Sequence, residues 1–135
     1  STIFAENNAS VVVSTYCNSW VFDNFNANDP FGSMARVYTE IFINRAEDYK
    51  QEYLLQMAKE FEVDGFVYHD CKTCPNNSNN RYRLPNRVQE KIGLPFIVVN
   101  GDMNDLRCYS EEQTKTAIEA FIEQLTVNKE MVQLQ

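Results

Sequence analysis

With 135 residues, 44% of them hydrophobic, 23% charged and only four Gly and four Pro, the chain has the size and composition of one folded domain, which excludes collagen-like, low-complexity and disordered classes. Nineteen acidic against twelve basic residues give a formal charge of −7, and the basic residues do not cluster, so a phosphate backbone would be repelled and nucleic acid is disfavoured as a partner. No window approaches the roughly 18 consecutive apolar residues of a membrane span, and the opening residues Ser-Thr-Ile-Phe-Ala-Glu lack the basic and apolar regions of a secretory signal. A cytoplasmic protein without a membrane partner is expected, and its four cysteines, Cys17, Cys71, Cys74 and Cys108, are expected as free thiols or metal ligands in a reducing compartment.

Thr2–Asn8 reads as the tail of a helix. The β-branched run Val11-Val12-Val13-Ser14-Thr15 predicts a buried strand, followed by a loop rich in Asn and Asp from Asn18 to Pro30. Apolar residues then recur at Met34, Val37, Tyr38, Ile41 and Phe42, and again at Tyr49, Tyr53, Leu54, Met57, Ala58 and Phe61. This three-to-four spacing predicts two amphipathic helices with a break near Asn44. Asp64-Gly65 is the expected stop of the second, and Phe66-Val67-Tyr68 the next strand.

Pro75-Asn76-Asn77-Ser78-Asn79-Asn80 predicts a loop, because Asn and Ser side chains compete for backbone hydrogen bonds. A helix is predicted from near Pro85, with Val88 and Ile92 on its inner face and Gly93 as its cap. Leu94-Pro95 leads into the apolar strand Phe96-Ile97-Val98-Val99. After a loop from Asn100 to Tyr109, Ser110-Glu111-Glu112-Gln113 has the form of a capping box, and Ala117, Ile118, Phe121, Ile122 and Leu125 form the stripe of a closing helix. Alternating strands and helices imply a three-layer α/β fold, Rossmann- or flavodoxin-like, with three parallel strands. Three strands and a start in mid-unit predict a single domain, residues 1–135, cut from a larger polypeptide that supplies at least one further strand.

Ligands of open parallel sheets bind at the carboxyl ends of the strands, and every cysteine falls just after a predicted strand. His69 stands at the end of the second, and Asp102, Asp105 and Arg107 share the loop after the third. Cys71-Lys72-Thr73-Cys74 is a C-x₂-C, a spacing found in zinc knuckles, iron–sulfur sites and redox pairs; two unligated loop thiols are the plainer alternative. Cys17 and Cys108 could complete a four-thiolate site with this pair, or each could be a small buried hydrophobe. His69 has no histidine or carboxylate at ligand spacing and reads as a hydrogen-bonded strand-end imidazole. Asn100-Gly101-Asp102 fits a loop turn and a ligand-orienting carboxylate equally. Tyr38, Tyr49 and Tyr53 read as core and subunit interface. The sequence contains no phosphate-binding G-x-G-x-x-G or P-loop.

The stretches Val63-Asp64-Gly65-Phe66-Val67-Tyr68-His69, Lys72-Thr73-Cys74-Pro75 and Glu90-Lys91-Ile92-Gly93-Leu94-Pro95 resemble the carboxyl-terminal domain of the 2-hydroxyacyl-CoA dehydratase and benzoyl-CoA reductase subunits. Asn100-Gly101-Asp102-Met103-Asn104-Asp105-Leu106-Arg107, then Tyr109-Ser110-Glu111-Glu112-Gln113-Thr114 and Glu119-Ala120-Phe121, are similar to that family's GDM-x-D and SEEQ-T segments in the same order. The resemblance implies part of an oxygen-sensitive lyase of anaerobic metabolism that passes one electron from a [4Fe-4S] cluster to a CoA thioester. The resulting ketyl radical acidifies an otherwise inert β-hydrogen and lets water leave a 2-hydroxyacyl-CoA such as 2-hydroxyglutaryl-CoA. It implies as partners a second dehydratase subunit in a heterodimer, an ATP-hydrolysing iron–sulfur activator and the acyl-CoA substrate.

By the same resemblance three cysteines hold each cluster, and the carboxyl-terminal one lies five residues after a strand-end histidine, as Cys74 does after His69. Cys74 is thereby assigned as a metal ligand, and Cys71 as a neighbour that substitutes for it or tunes it. The other two ligands would lie in an amino-terminal domain, so the isolated domain is expected to be inactive. His69, Asp102 and Arg107 form the edge of the implied site. A benzoyl-CoA reductase-type or double-cubane ATP-dependent reductase subunit is the alternative within the family, and a non-catalytic zinc or redox module the alternative outside it. The long Asn-rich loop after Cys74 departs from the family pattern.

Overall fold

A computed structural model describes residues 2–18, 20–21, 25–76, 78, 81–102 and 104–133. The elements in chain order are α1 (Thr2–Glu6), α2 (Thr15–Asn18), α3 (Pro30–Glu40), a 3₁₀ turn (Phe42–Asn44), α4 (Glu47–Glu60), β1 (Phe66–Cys71), α5 (Leu84–Ile92), β2 (Phe96–Gly101), a 3₁₀ turn (Leu106–Cys108) and α6 (Glu111–Gln133). A further 3₁₀ turn, Arg81–Arg83, leads into α5. The predicted loops over residues 18–30 and 75–80, and Met103 of the GDM segment, lie wholly or partly outside the described residues.

Local chemistry sets most element boundaries. Asp29 caps α3 by accepting from the Gly32 amide at 3.1 Å, and Pro30 occupies the first turn, where its missing N–H costs nothing. The break between α3 and α4 falls at the predicted place. Ile41 turns extended, with ψ 150°, and the Asn44 side chain donates to the Tyr38 carbonyl at 2.7 Å, satisfying an acceptor the ending helix leaves open. Glu47 and Asp48 in the first turn of α4 and Lys59 in the last complement its dipole. Gly93, with φ 77°, ends α5 in the left-handed region as predicted. Ser110 accepts from the Gln113 amide at the start of α6.

The stop of α4 differs from the sequence expectation. The helix closes at Phe61, and Glu62 takes the positive φ of 48°; Gly65 lies three residues further on. Its lack of a side chain serves packing. A Cβ there would come within 2.8 Å of the Phe121 ring and 2.9 Å of both Leu125 and the Pro95 carbonyl oxygen, so only glycine lets α6 approach the start of β1 this closely.

β1 and β2 form a parallel pair in register from Phe66↔Phe96 to Cys71↔Gly101. Alternation along the strands sends Phe66, Tyr68, Phe96 and Val98 to one face, where they pack with Leu54 of α4 and Leu84 and Val88 of α5. Tyr68 stacks on Phe66 and meets Phe96 edge-on, each at 5.7 Å between ring centroids. Burial pushes its phenol pKa up. α6 meets β2 and is itself flanked by α1; Ile118, Phe121 and Ile122 are its buried residues.

The three-stranded sheet is corrected in one respect. Among the described residues the sheet has two strands; Val11–Ser14 is irregular and Thr15–Asn18 is a helical turn. Val11 and Val12 are 64% and 54% exposed, and a cleft of about 1050 Å³ lies between this segment, β1 and α6. A strand of a parallel sheet gains its stability from cover on both faces and from a paired neighbour. Here the run has no paired neighbour among the described residues and is only partly covered from Val13 on, so β-branched composition alone does not make it a strand. The observed architecture is thus mixed helix and strand around a small parallel sheet, consistent with an α/β class. No described helix is long and apolar enough to cross a membrane.

Leu84 is 1% exposed at the centre of this core, and Leu84→Ala is expected to lower the unfolding free energy by about 3 kcal/mol, read from the urea midpoint at constant slope. Gly65→Ala is expected to cost about 1–3 kcal/mol, because the Pro95 carbonyl is backbone and yields less readily than a side-chain tip. A neutral Gly65→Ala would contradict the close approach of α6.

Candidate functional site

The parallel register brings the carboxyl ends of β1 and β2 side by side, with Cys71 opposite Gly101. Chain leaving β1 therefore turns directly beside Asp102, the first residue beyond β2. The carboxylate of Asp102 collects most of the polar groups of this edge. One oxygen, Oδ2, accepts from the Thr73 amide at 2.7 Å and from the Cys71 thiol at 3.8 Å. The other, Oδ1, accepts from the Thr73 hydroxyl at 2.9 Å and from the amides of Asn104 and Asp105 at 2.8 and 3.2 Å. The amide of Asn104, followed by the Thr73 hydroxyl and the other backbone donors, holds the carboxyl pKa down at about 2, since every one of these bonds favours the charged form.

A second aspartate restrains the same turn from the other side. Asp70, at the end of β1, accepts from Lys72 Nζ and from the Ser78 hydroxyl. The Cys71–Cys74 segment is thus tied to Asp70 beyond it and to Asp102 across from it. Cys71 is buried and Cys74 only partly so. The two thiols therefore differ: Cys71 closes the strand and faces Asp102, whereas Cys74 sits on the restrained turn with part of its surface open.

The remaining predicted edge residues are placed as follows. His69 is exposed, and its ring lies over Gly101, where a Cβ would come within 2.9 Å of Nε2. Arg107 points to Asp105, which accepts from its backbone amide at 3.0 Å, from Nε at 2.9 Å and from Nη2 at 2.7 Å. This fork, together with the Arg107 amide, lowers the Asp105 carboxyl pKa, and the Arg107 side chain is otherwise 90% exposed. Cys108 belongs to the 3₁₀ turn that follows Asp105, and Cys17 is an exposed residue of α2. The sequence expectation that Cys17 follows a strand fails with that strand.

No group of three or more His, Cys, Asp or Glu residues able to hold a metal ion occurs among the described residues. Thr73 is the residue that sequence reasoning passed over. Its only signal was a hydroxyl residue inside the C-x₂-C, opposite the Asp that ends the neighbouring strand.

The profile of the family described as 2-hydroxyglutaryl-CoA dehydratase, D-component, matches residues 1–125. The alpha subunit of lactoyl-CoA dehydratase from Anaerotignum propionicum is 36% identical over 106 residues, covering 78% of this chain and 25% of that protein. The alpha subunit of (R)-2-hydroxyisocaproyl-CoA dehydratase from Clostridioides difficile is 30% identical over 118 residues, 87% of this chain and 28% of that protein. A benzoyl-CoA reductase subunit from Thauera aromatica is 23% identical over 125 residues, 90% of this chain and 29% of that protein. The chain therefore spans a little over a quarter of the length of these relatives.

The carboxyl group of Asp102 is expected to titrate with its midpoint at about 2, against the ordinary 3.8. Because the folded value is depressed, its stabilisation of the turn is present above the ordinary value and is lost as pH falls from 3.8 through about 2. Carbon-13 NMR of the carboxyl carbon reads this directly, and Thr73→Val, which removes the hydroxyl donor, is expected to move the midpoint upward. A midpoint near the ordinary value in the unmodified chain would contradict the bonds described.

Proposed function

The chain belongs to the 2-hydroxyglutaryl-CoA dehydratase D-component family, and on that membership we propose that it is the carboxyl-terminal part of an iron–sulfur 2-hydroxyacyl-CoA dehydratase subunit. The observation that carries this reading is the match along residues 1–125. Two dehydratase subunits at 36% and 30% identity, against 23% for the benzoyl-CoA reductase subunit, favour elimination of water over ring reduction. The substrate is then a CoA thioester bearing a 2-hydroxyl group, the class to which lactoyl-, 2-hydroxyisocaproyl- and phenyllactyl-CoA belong.

Cys74 is the proposed cluster thiolate of this chain. It lies on a turn at the carboxyl end of β1, restrained from two sides by aspartates and partly open to the surface, which is what a ligand shared with another domain requires. A [4Fe-4S] cluster, when bound, supplies a single low-potential electron to the thioester. The part played by this chain is to supply one thiolate: the turn sets the position of the thiol, the Asp102 carboxylate fixes the turn, and the buried Cys71 thiol donates to that carboxylate. The remaining thiolates come from outside the 135 residues, and the 135 residues alone are inactive. A second dehydratase subunit is the proposed partner, in keeping with relatives named as alpha and beta subunits. An ATP-dependent iron–sulfur activator and the acyl-CoA complete the proposed assembly.

The test is iron, zinc and acid-labile sulfide per chain in the full-length subunit purified with its partner in the absence of oxygen. Cys74→Ala is expected to lose iron and sulfide together, and Cys71→Ala to keep them. Iron that survives Cys74→Ala, or zinc in the native protein that both substitutions remove, would defeat the assignment.

A further inference from the structure

Three residues after β1 the chain reaches Cys74, and the residue immediately before it, Thr73, is bound to Asp102 through both its amide and its hydroxyl, at 2.7 and 2.9 Å. Asp102 is itself immobilised, because its Oδ1 also accepts from the Asn104 and Asp105 amides, an Asx-type arrangement that fixes the carboxylate relative to the end of β2. The connection from β2 to Cys74 therefore runs through one carboxylate, two hydrogen bonds and a single planar peptide unit. Rotation of the turn about the end of β1 would have to break both bonds to a charged acceptor, which are the stronger kind. The Thr73 amide, being committed to Asp102, is also not available to donate to a sulfur.

We propose that Asp102 is a positioning residue of the cluster site: it fastens the Cys71–Cys74 turn to the carboxyl end of β2 through Thr73 and thereby sets where the Cys74 thiolate meets iron. This deepens the function proposed above and rests on Cys74 being the cluster ligand. It assigns to the Asp of the Asn100-Gly101-Asp102 segment a defined task, where the sequence left a loop turn and a ligand-orienting carboxylate equally open. The carboxylate contributes in two separable ways. As an acceptor it holds the turn, and as a negative charge beside the turn it disfavours the reduced, more negative state of a cluster bound there.

The two contributions are tested in the full-length subunit assembled with its partner without oxygen, using Asp102→Asn, Asp102→Ala and Cys74→Ala. Asp102→Asn carries no charge and keeps one acceptor oxygen; with that oxygen on the Asn104 and Asp105 amides, its NH2 faces the Thr73 amide, which loses its acceptor. It is expected to retain iron and to shift the cluster midpoint potential to more positive values. Asp102→Ala removes the acceptor as well, and its iron is expected to be lost to a chelator about 10-fold faster. Hydrogen exchange at the Thr73 amide, measured on metal-free protein, is expected to speed up in both variants. Wild-type iron retention, potential and Thr73 exchange in both Asp102 variants would overturn it while leaving the cluster in place, provided Cys74→Ala still loses iron. Iron that survives Cys74→Ala overturns the cluster assignment and this role with it. Should Asp102→Ala fail to fold, Asp102→Asn decides alone, and wild-type potential and Thr73 exchange in a folded, iron-loaded Asp102→Asn overturn the role.

Discussion

Six successive residue pairs, Phe66↔Phe96 to Cys71↔Gly101, align β1 and β2 in parallel, and the candidate site depends on that register. Parallel pairing brings two carboxyl ends to the same edge, so the turn after β1 and the loop after β2 become neighbours although Thr73 and Asp102 are 29 positions apart. A slip of one residue would turn Cys71 and Tyr68 to opposite faces from those they now occupy. It would break the aromatic layer and part Asp102 from Thr73 in one step. Fold and site thus share one constraint, and the apolar packing of Tyr68 between Phe66 and Phe96 helps to enforce it.

Packing on either side of this pair is unequal. One face carries a continuous core with α4 and α5. The other is approached by α6 only because Gly65 leaves room for Phe121 and Leu125. Beside β1 lies a cleft lined also by residues 9–16 and by Phe121, Ile122 and Leu125 of α6. Several large apolar residues of the first third, Val11, Trp20, Phe31 and Tyr38 among them, are exposed.

The chemistry at the edge is correspondingly partial. Cys74 offers one thiol on a restrained turn, Cys71 is buried, and Arg107 is engaged by Asp105 through its whole fork. What the edge does have is preorganisation: two aspartates converge on a turn of a few residues. For the cluster role proposed for Cys74, such preorganisation fixes in advance the position of a thiol that must meet other ligands.

Residue order alone specified much of the fold. The three-to-four apolar spacing over residues 34–61, the break at Asn44, the capping Gly93 and the apolar runs at residues 66 and 96 were legible because each is governed by local backbone chemistry. The ordered motifs from Val63 to Phe121 likewise identified the family, since they are properties of the sequence itself. Tertiary structure decided the rest. Val11–Ser14 has strand composition but no paired neighbour among the described residues, Glu62 rather than Gly65 reverses the chain after α4, and Gly65 answers to residues 121 and 125. Thr73 has meaning only opposite Asp102. Each of these depends on which distant group comes within a few ångströms, and that is a property of the strand register and helix packing taken together, which no local stretch of sequence encodes.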